Sequence, residues 1–220
     1  VRPSKPVPFK VRHWLRSVTT AGCSVRNVST LQEIDKKDGT HLFSLLHVNV
    51  ADPQGRRLPH IVFIRGHAVV IVPMLINTQT NEKRFLMVEQ RRIGNGSVSL
   101  EFPAGMIDRE NDQPQDVALK ELSEESGLII TPDKLIPLCD RPLFSSAGGM
   151  DESIYFFGCR IELSPTDFLS FNERICGNPD ENEHITVTLL TKEEALPRIT
   201  SLQALLGLFL FEEMYQHERE

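Results

Sequence analysis

Gly105-Met-Ile-Asp-Arg-Glu-Asn-Asp112, followed by Lys120-Glu121-Leu122-Ser123-Glu124-Glu125-Ser126-Gly127-Leu128, is the stretch on which the reading of the chain turns. Gln113 to Ser126 has the marks of a helix. Asp112 or Gln113 stands near the cap, Pro114 lies in the first turn where its missing N–H costs nothing, and Gly127 is a stop. At about 100° per residue, Glu121, Glu124 and Glu125 fall within an arc of roughly 100° on one face of that helix. Like charges at such spacing destabilise a helix by a few tenths of a kcal/mol, so a helix that keeps three of them invites a divalent cation. Magnesium prefers carboxylate and water oxygens and commonly bridges one or two protein carboxylates to substrate phosphates. Three clustered glutamates alone would read as a solvated acidic face. The glycines and acidic loop around them are what point to chemistry.

Working outward, Ile61 to Ile64, Ala68 to Ile76 and Phe85 to Gln90 are rich in β-branched and aromatic residues and read as adjacent strands, with a polar turn at Asn77 to Lys83. Leu100 to Phe102 begins a short strand ending at Pro103, and Leu135 to Leu138, Ile154 to Ile161 and Ile185 to Leu190 are further strand candidates. Lys192 to Arg198 and Ser201 to His217 read as helices, the second with a wide apolar face. In the N-terminal region, Phe9 to Ser17 is a short helical or irregular segment. Ser44 to Val50 reads as a strand before the turn Asp52-Pro53-Gln54-Gly55, which suggests a hairpin ahead of the core. Helices interleaved with strands predict an α/β sandwich.

The Gly105 to Leu128 stretch resembles the Nudix box, in which a glycine, a distant acidic residue, an Arg-Glu pair, a Glu-Glu pair and a final glycine with an aliphatic residue occur at set spacing. Three departures stand out. Lys120 replaces the family's arginine, Asp112 replaces its glutamate, and Gly105 lies one residue further upstream. Lysine keeps the charge but loses the planar fork. The resemblance implies the Nudix α/β/α sandwich with a mixed sheet, here residues 58–220, behind an N-terminal β-hairpin extension over residues 1–57.

Outside the box the chain looks most like the ADP-ribose and ADP-sugar pyrophosphatase branch, with plant ADP-sugar diphosphatases the nearest pattern. Leu58 to His67, Val88-Glu-Gln-Arg-Arg92, Ser146-Ala-Gly-Gly-Met-Asp-Glu152 and Asp180-Glu-Asn-Glu-His-Ile185 carry that likeness. It implies hydrolysis of a nucleoside diphosphate sugar, of the ADP-ribose, ADP-glucose or UDP-glucose type, to a nucleoside monophosphate and a sugar phosphate. The metal would be magnesium, or manganese in its place, with two or more ions per site. The implied metal ligands are Glu121, Glu125 and the Ala104 carbonyl, with Glu124 as ligand or orienter. Arg92, with Arg91 beside it, would meet the substrate phosphates, and strand alternation turns one of the two to solvent. Gly148 and Gly149 permit a tight turn near the ligand although Ala147 stands where proline is usual, and Glu152 would face the second ligand moiety. The general base falls on Glu181, with Glu183 as the alternative.

Composition narrows the partners. A formal charge of −6 argues against a general nucleic-acid binder, whose phosphate contacts need a basic surface. Cys23, Cys139, Cys159 and Cys176 lack the short paired spacings of zinc or disulfide frameworks, and the seven histidines show no metal spacing either. No apolar run reaches the roughly 20 residues of a membrane-spanning helix. The first 32 residues hold six Lys or Arg and no Asp or Glu: the trailing part of a transit segment, a basic arm facing an anionic ligand, or a solvated extension. The expected location is the cytoplasm, or an organelle where a targeting segment has been removed. The resemblance adds a homodimer built through the N-terminal region. The rivals are a Nudix enzyme for dinucleoside polyphosphates or coenzyme A, and a non-catalytic nucleotide-binding module on the same fold.

Overall fold

In the computed structural model, residues 6–177 and 183–216 are described, and the chain forms two compact units. The first unit gathers residues up to Ala68 with Met106–Asp112 and Leu143–Ile154. It opens with helix α1 (Phe9–Thr20), followed by β1 (Ser24–Asp35), β2 (His41–Ala51) and β3 (Ile61–Ile64), which form an antiparallel sheet in that order. In β2 every second residue, Ser44, Leu46, Val48 and Val50, is buried. With Ile64 these aliphatic side chains make a small core under Val11 and Trp14 of α1.

The strand expected before the Asp52 turn forms an antiparallel hairpin with β3, and a second hairpin precedes it. Its partner strands are β1 and β2, joined at residues 36–40, and β1 escaped notice because it is largely solvated on both faces and shows no two-residue alternation. The Asp52 to Gly55 turn does form: Gly55 N–H donates to the Asp52 carbonyl at 2.9 Å, and the Asp52 carboxylate accepts from the backbone of Gln54 and Arg56. It closes the antiparallel β2–β3 hairpin, with Ala51 bridged to Arg57.

The second unit gathers Val69–Gly105, Gln113–Pro142 and the residues from Tyr155 onward. Its strands are β4 (Ala68–Asn77), β5 (Lys83–Arg91), β6 (Val98–Glu101), β7 (Ala104–Met106), β8 (Ile136–Pro137), β10 (Ser153–Leu163), β11 (Ile175–Cys176) and β12 (Ile185–Leu190); β9 (Leu143–Phe144) pairs with the start of β10. The path is β11-β12-β5-β4-β10-β8, with β6 on β5 and β7 on β4. The central strands are apolar on both faces: Val69 to Val72, Leu75 and Phe85 to Val88 are almost inaccessible, which is why their sequences run as hydrophobic blocks. Asn77 organises the β4–β5 turn by accepting from the Gln79 and Thr80 amides.

The helices are α2 (Pro114–Ser126), α3 (Pro165–Ser170), α4 (Lys192–Ala195) and α5 (Leu202–Gln216). The mixed α/β architecture is the one expected. Helix α4 stops short of Arg198: Leu196 keeps helical backbone angles and donates to the Lys192 carbonyl, but Pro197 has no N–H with which to continue the ladder. Its start is fixed by a capping box between Thr191 and Glu194. Helix α3 was not anticipated, although Ser164-Pro165 with Asp167 is a legible start, the Ser164 hydroxyl accepting from the Asp167 amide. The cysteines are all free thiols.

Candidate active site

All the site geometry that follows lies in the second unit. Helix α2 begins at Pro114 and ends at Gly127, whose φ of 73° suits the left-handed terminus that glycine adopts without strain. Leu122 and Ala118 anchor one side in the core, and the same rotation brings Glu125 inward, leaving it 3% exposed. Its carboxylate is held from the other side of the site: the Ala104 N–H donates to Glu125 Oε2 at 2.9 Å. Glu121 sits against Gly105, where any side chain would run into the Glu121 carboxyl, so this glycine is required by close approach rather than by a turn. Glu124 is half exposed and accepts from Lys120 Nζ at 2.8 Å, and the same ammonium lies 3.6 Å from Glu121.

The acids are crowded beyond their comfort. Burial pushes the Glu125 carboxyl up to about 8, with Glu121 and Glu183 adding to the rise and the Ala104 N–H and Arg92 working against it. Burial likewise lifts Glu121 to about 7, the neighbouring Glu124 and Glu183 adding to it while Lys120 opposes. Groups of this kind gather where function demands them.

Facing them is Arg92, one residue beyond β5. Its Nε and terminal nitrogen donate to the two oxygens of Glu101 at 3.0 and 2.7 Å, a bidentate fork that fixes the guanidinium plane. Burial would push the Glu101 carboxyl up, but the Arg92 fork outweighs it and holds the group below its ordinary range. Arg92 still feels Glu125 and Glu183. Arg91 turns away and donates to the Gly96 carbonyl at 2.6 Å, so the two arginines divide as strand alternation requires. Glu101 was missed as a site residue. The antiparallel register that sets β6 beside β5 brings it to Arg92, and only that pairing reveals it.

The structure thus brings together Arg92, Glu121, Glu125 and Glu183, with Glu124 at the rim. Glu181 lies outside the described residues. Gly148, Gly149 and Glu152 belong to the first unit. There the turn closes without proline, the Gly149 and Met150 amides donating to the Ser146 carbonyl, while Glu152 is buried against the Ser145 hydroxyl and Arg65.

As donors for a cation, Glu121, Glu124, Glu125 and the Ala104 carbonyl are all hard oxygen groups suited to magnesium, and Gly105 lets the Glu121 carboxyl lie close against the chain beside Ala104. Buried carboxyls forced upward in pKa are the groups a cation would relieve. Among the described residues no three carboxylate, histidine or cysteine side chains already converge as a metal cage. The Ala104 N–H and the Lys120 ammonium hold two of the acids instead.

The NUDIX domain profile matches residues 65–204, well over half of the chain. The chain belongs to the Nudix family. Among relatives of this Nudix hydrolase, Nudix hydrolase 14, chloroplastic, of Arabidopsis thaliana is 26% identical over 94% of this chain and 71% of its own length. The ADP-ribose pyrophosphatase of Escherichia coli strain K12 is 31% identical over 61% of this chain; the match spans 59% of that protein. A solved ADP compounds hydrolase superposes with a TM-score of 0.61, covering 89% of this chain and 95% of that one at 19% identity, and shows the shared fold. The Nudix box expected from Gly105 to Leu128 lies inside the matched segment.

Proposed function

We propose that this Nudix hydrolase cleaves the diphosphate of a nucleoside diphosphate sugar, releasing a nucleoside monophosphate and a sugar phosphate. The observation that carries the reading is the set of buried glutamates on α2, opposite an arginine already oriented by Glu101. Likeness to ADP-ribose pyrophosphatase supports the sugar-nucleotide class.

Glu121, Glu124, Glu125 and the Ala104 carbonyl would hold magnesium, which when bound supplies charge neutralisation at the diphosphate and acidifies water. The chain's own groups do the rest. Arg92 presents guanidinium N–H donors to a phosphoryl oxygen, where charge grows as the P–O bond breaks. Its fork with Glu101 means that this orientation exists before substrate arrives. Lys120 holds the Glu124 carboxylate in place. A glutamate of the loop before β12 accepts the proton of the attacking water; Glu183 lies within reach of the charges of Glu121, Glu125 and Arg92, and Glu181 precedes it by two residues in the sequence. The protein acts on a small molecule, as a homodimer, in a reducing compartment.

The test is a panel of ADP-ribose, ADP-glucose, UDP-glucose, diadenosine polyphosphates and coenzyme A, incubated with magnesium and resolved by chromatography. Release of AMP or UMP with a sugar phosphate is expected. Cleavage confined to the polyphosphates or coenzyme A would move the enzyme to another substrate class, and no cleavage of any would refute hydrolysis.

A further inference from the structure

Within the second unit, the antiparallel register of β5 and β6 lays polar side chains out in rows. Val88 pairs with Glu101, Gln90 with Ser99, and the Arg92 amide donates to the Ser97 carbonyl at 3.0 Å. Side chains alternate along a strand and directly opposed residues share a face, so Gln90, Arg92, Ser99 and Glu101 all stand on one side of the sheet. The other side carries Phe85 and Glu89, which meet Phe211 of α5 and Arg198. The fork between Arg92 and Glu101 therefore runs diagonally across the row that holds Gln90 and Ser99.

Three of these four polar groups satisfy one another. Arg92 donates both bonds of its fork to Glu101, and the Ser99 hydroxyl also faces the Glu101 carboxylate as a hydrogen-bond donor. Gln90 is left over. It is 8% exposed, its amide has no hydrogen-bond partner among the described residues, and both amide atoms keep some accessibility. A buried amide left unpaired carries a desolvation cost that an apolar chain of the same length would not. Apolar filling is what the same strand uses just before it, at Leu86, Met87 and Val88.

The neighbours indicate what the amide is for. Arg92 meets a phosphoryl oxygen in the reading given under Proposed function, and Gln90 stands two residues back on the same face, roughly 7 Å along the strand. A second cation at that point would need a carboxylate of its own, and a carboxylate would compete with Glu101 for Arg92. An uncharged N–H donor does neither. We propose that Gln90 is a further substrate-binding residue, its amide N–H donating to a second oxygen of the diphosphate beside the one that Arg92 takes. The inference rests on the diphosphate reading of the site and adds to it a neutral donor that no pattern of charges would reveal.

Gln90→Met and Gln90→Glu, with Glu89→Gln on the opposite face as control, test the contact on the whole protein. The readouts are thermal melting and calorimetric titration, in magnesium buffer, with α,β-methylene ADP-ribose, whose bridging carbon resists hydrolysis, and with inorganic pyrophosphate. Gln90→Met should bind both probes roughly 10- to 100-fold more weakly than wild type while melting no lower, since an unpaired amide gives way to an apolar chain of similar length. Gln90→Glu should bind more weakly still, because an ionised carboxylate has only acceptors to offer a phosphate. The control should bind like wild type. Wild-type affinity in both Gln90 variants would overturn the proposal, and so would a lowered melting temperature beside unchanged affinity, which would make Gln90 a packing residue only. Affinity lost for the ADP-ribose analogue but kept for pyrophosphate would also overturn it, since the amide would then face the nucleoside or the sugar. Should wild type bind pyrophosphate but not the analogue, the sugar-nucleotide reading fails, while the pyrophosphate titrations still decide the role of Gln90; binding of neither probe sinks both.

Discussion

The two units treat buried charge in opposite ways. Around Asp108 in the first unit, a carboxylate is met by two lysines, one of them fully buried, and each oxygen has its own partner. Around Glu125 in the second, acids are gathered with acids, and burial raises two of them well above the usual carboxylate range. The first arrangement costs least when left alone. The second keeps its acids under the strain of burial and like charge, which a proton, or the cation proposed above, would relieve. Charge of the same kind is paired off in one place and left crowded in the other.

The sharpest break of that contrast is Glu125→Gln. Magnesium-dependent hydrolysis should disappear, while the metal-free protein keeps or gains thermal stability because a buried like charge is gone; near-normal turnover would remove Glu125 from the metal site. Next in size is the base. Glu183→Gln or Glu181→Gln, whichever carries it, should lower kcat by about 100- to 10,000-fold, and equal mild losses in both would take the base out of this loop.

Lys10→Met removes one partner of the buried brace and should cost about 3 kcal/mol in urea denaturation, toward the low end of what broken buried pairs cost because Lys36 still faces Asp108. A loss near zero would mean that the pair is no brace.

The smallest effect concerns acid. His67 lies between His13 and Ser153, at 3.0 and 2.7 Å, and burial followed by the nearby His13 and Lys10 holds its imidazole down to about 4. The folded state then binds fewer protons than the unfolded chain. Stability contributed by neutral His67 is present above the unfolded value near 6.5 and declines as pH falls from there toward about 4. Melting curves from pH 7 to 4.5 should fall less steeply for His67→Gln than for wild type, and parallel slopes would clear His67 of the effect.

How much was legible follows the same division. The glutamates of α2, its caps and the paired arginines could be read because helix geometry fixes their relation within a few residues. The apolar blocks of β4 and β5 announced buried strands. What stayed hidden depended on contacts between distant segments: the β5–β6 register that hands Glu101 to Arg92, and the partners of the N-terminal lysines and arginines 98 residues away. The basic arm had been open to three readings. Lys10, Arg12 and Arg16 turn out to face the protein's own acidic loop. Strand β1 was invisible for a different reason, since a strand wet on both faces carries no periodic signal.

Lys120 bears also on how the protein is made. On the proposed reading, an ammonium that already neighbours Glu124 and Glu121 would act as a placeholder, and the newly made chain should finish folding without an ion. Manufacture and switching-on are thereby separated. A chelated preparation should be a well-behaved, silent protein that wakes on addition of the ion, and shortage of the ion in a cell would idle the enzyme without marking it for destruction.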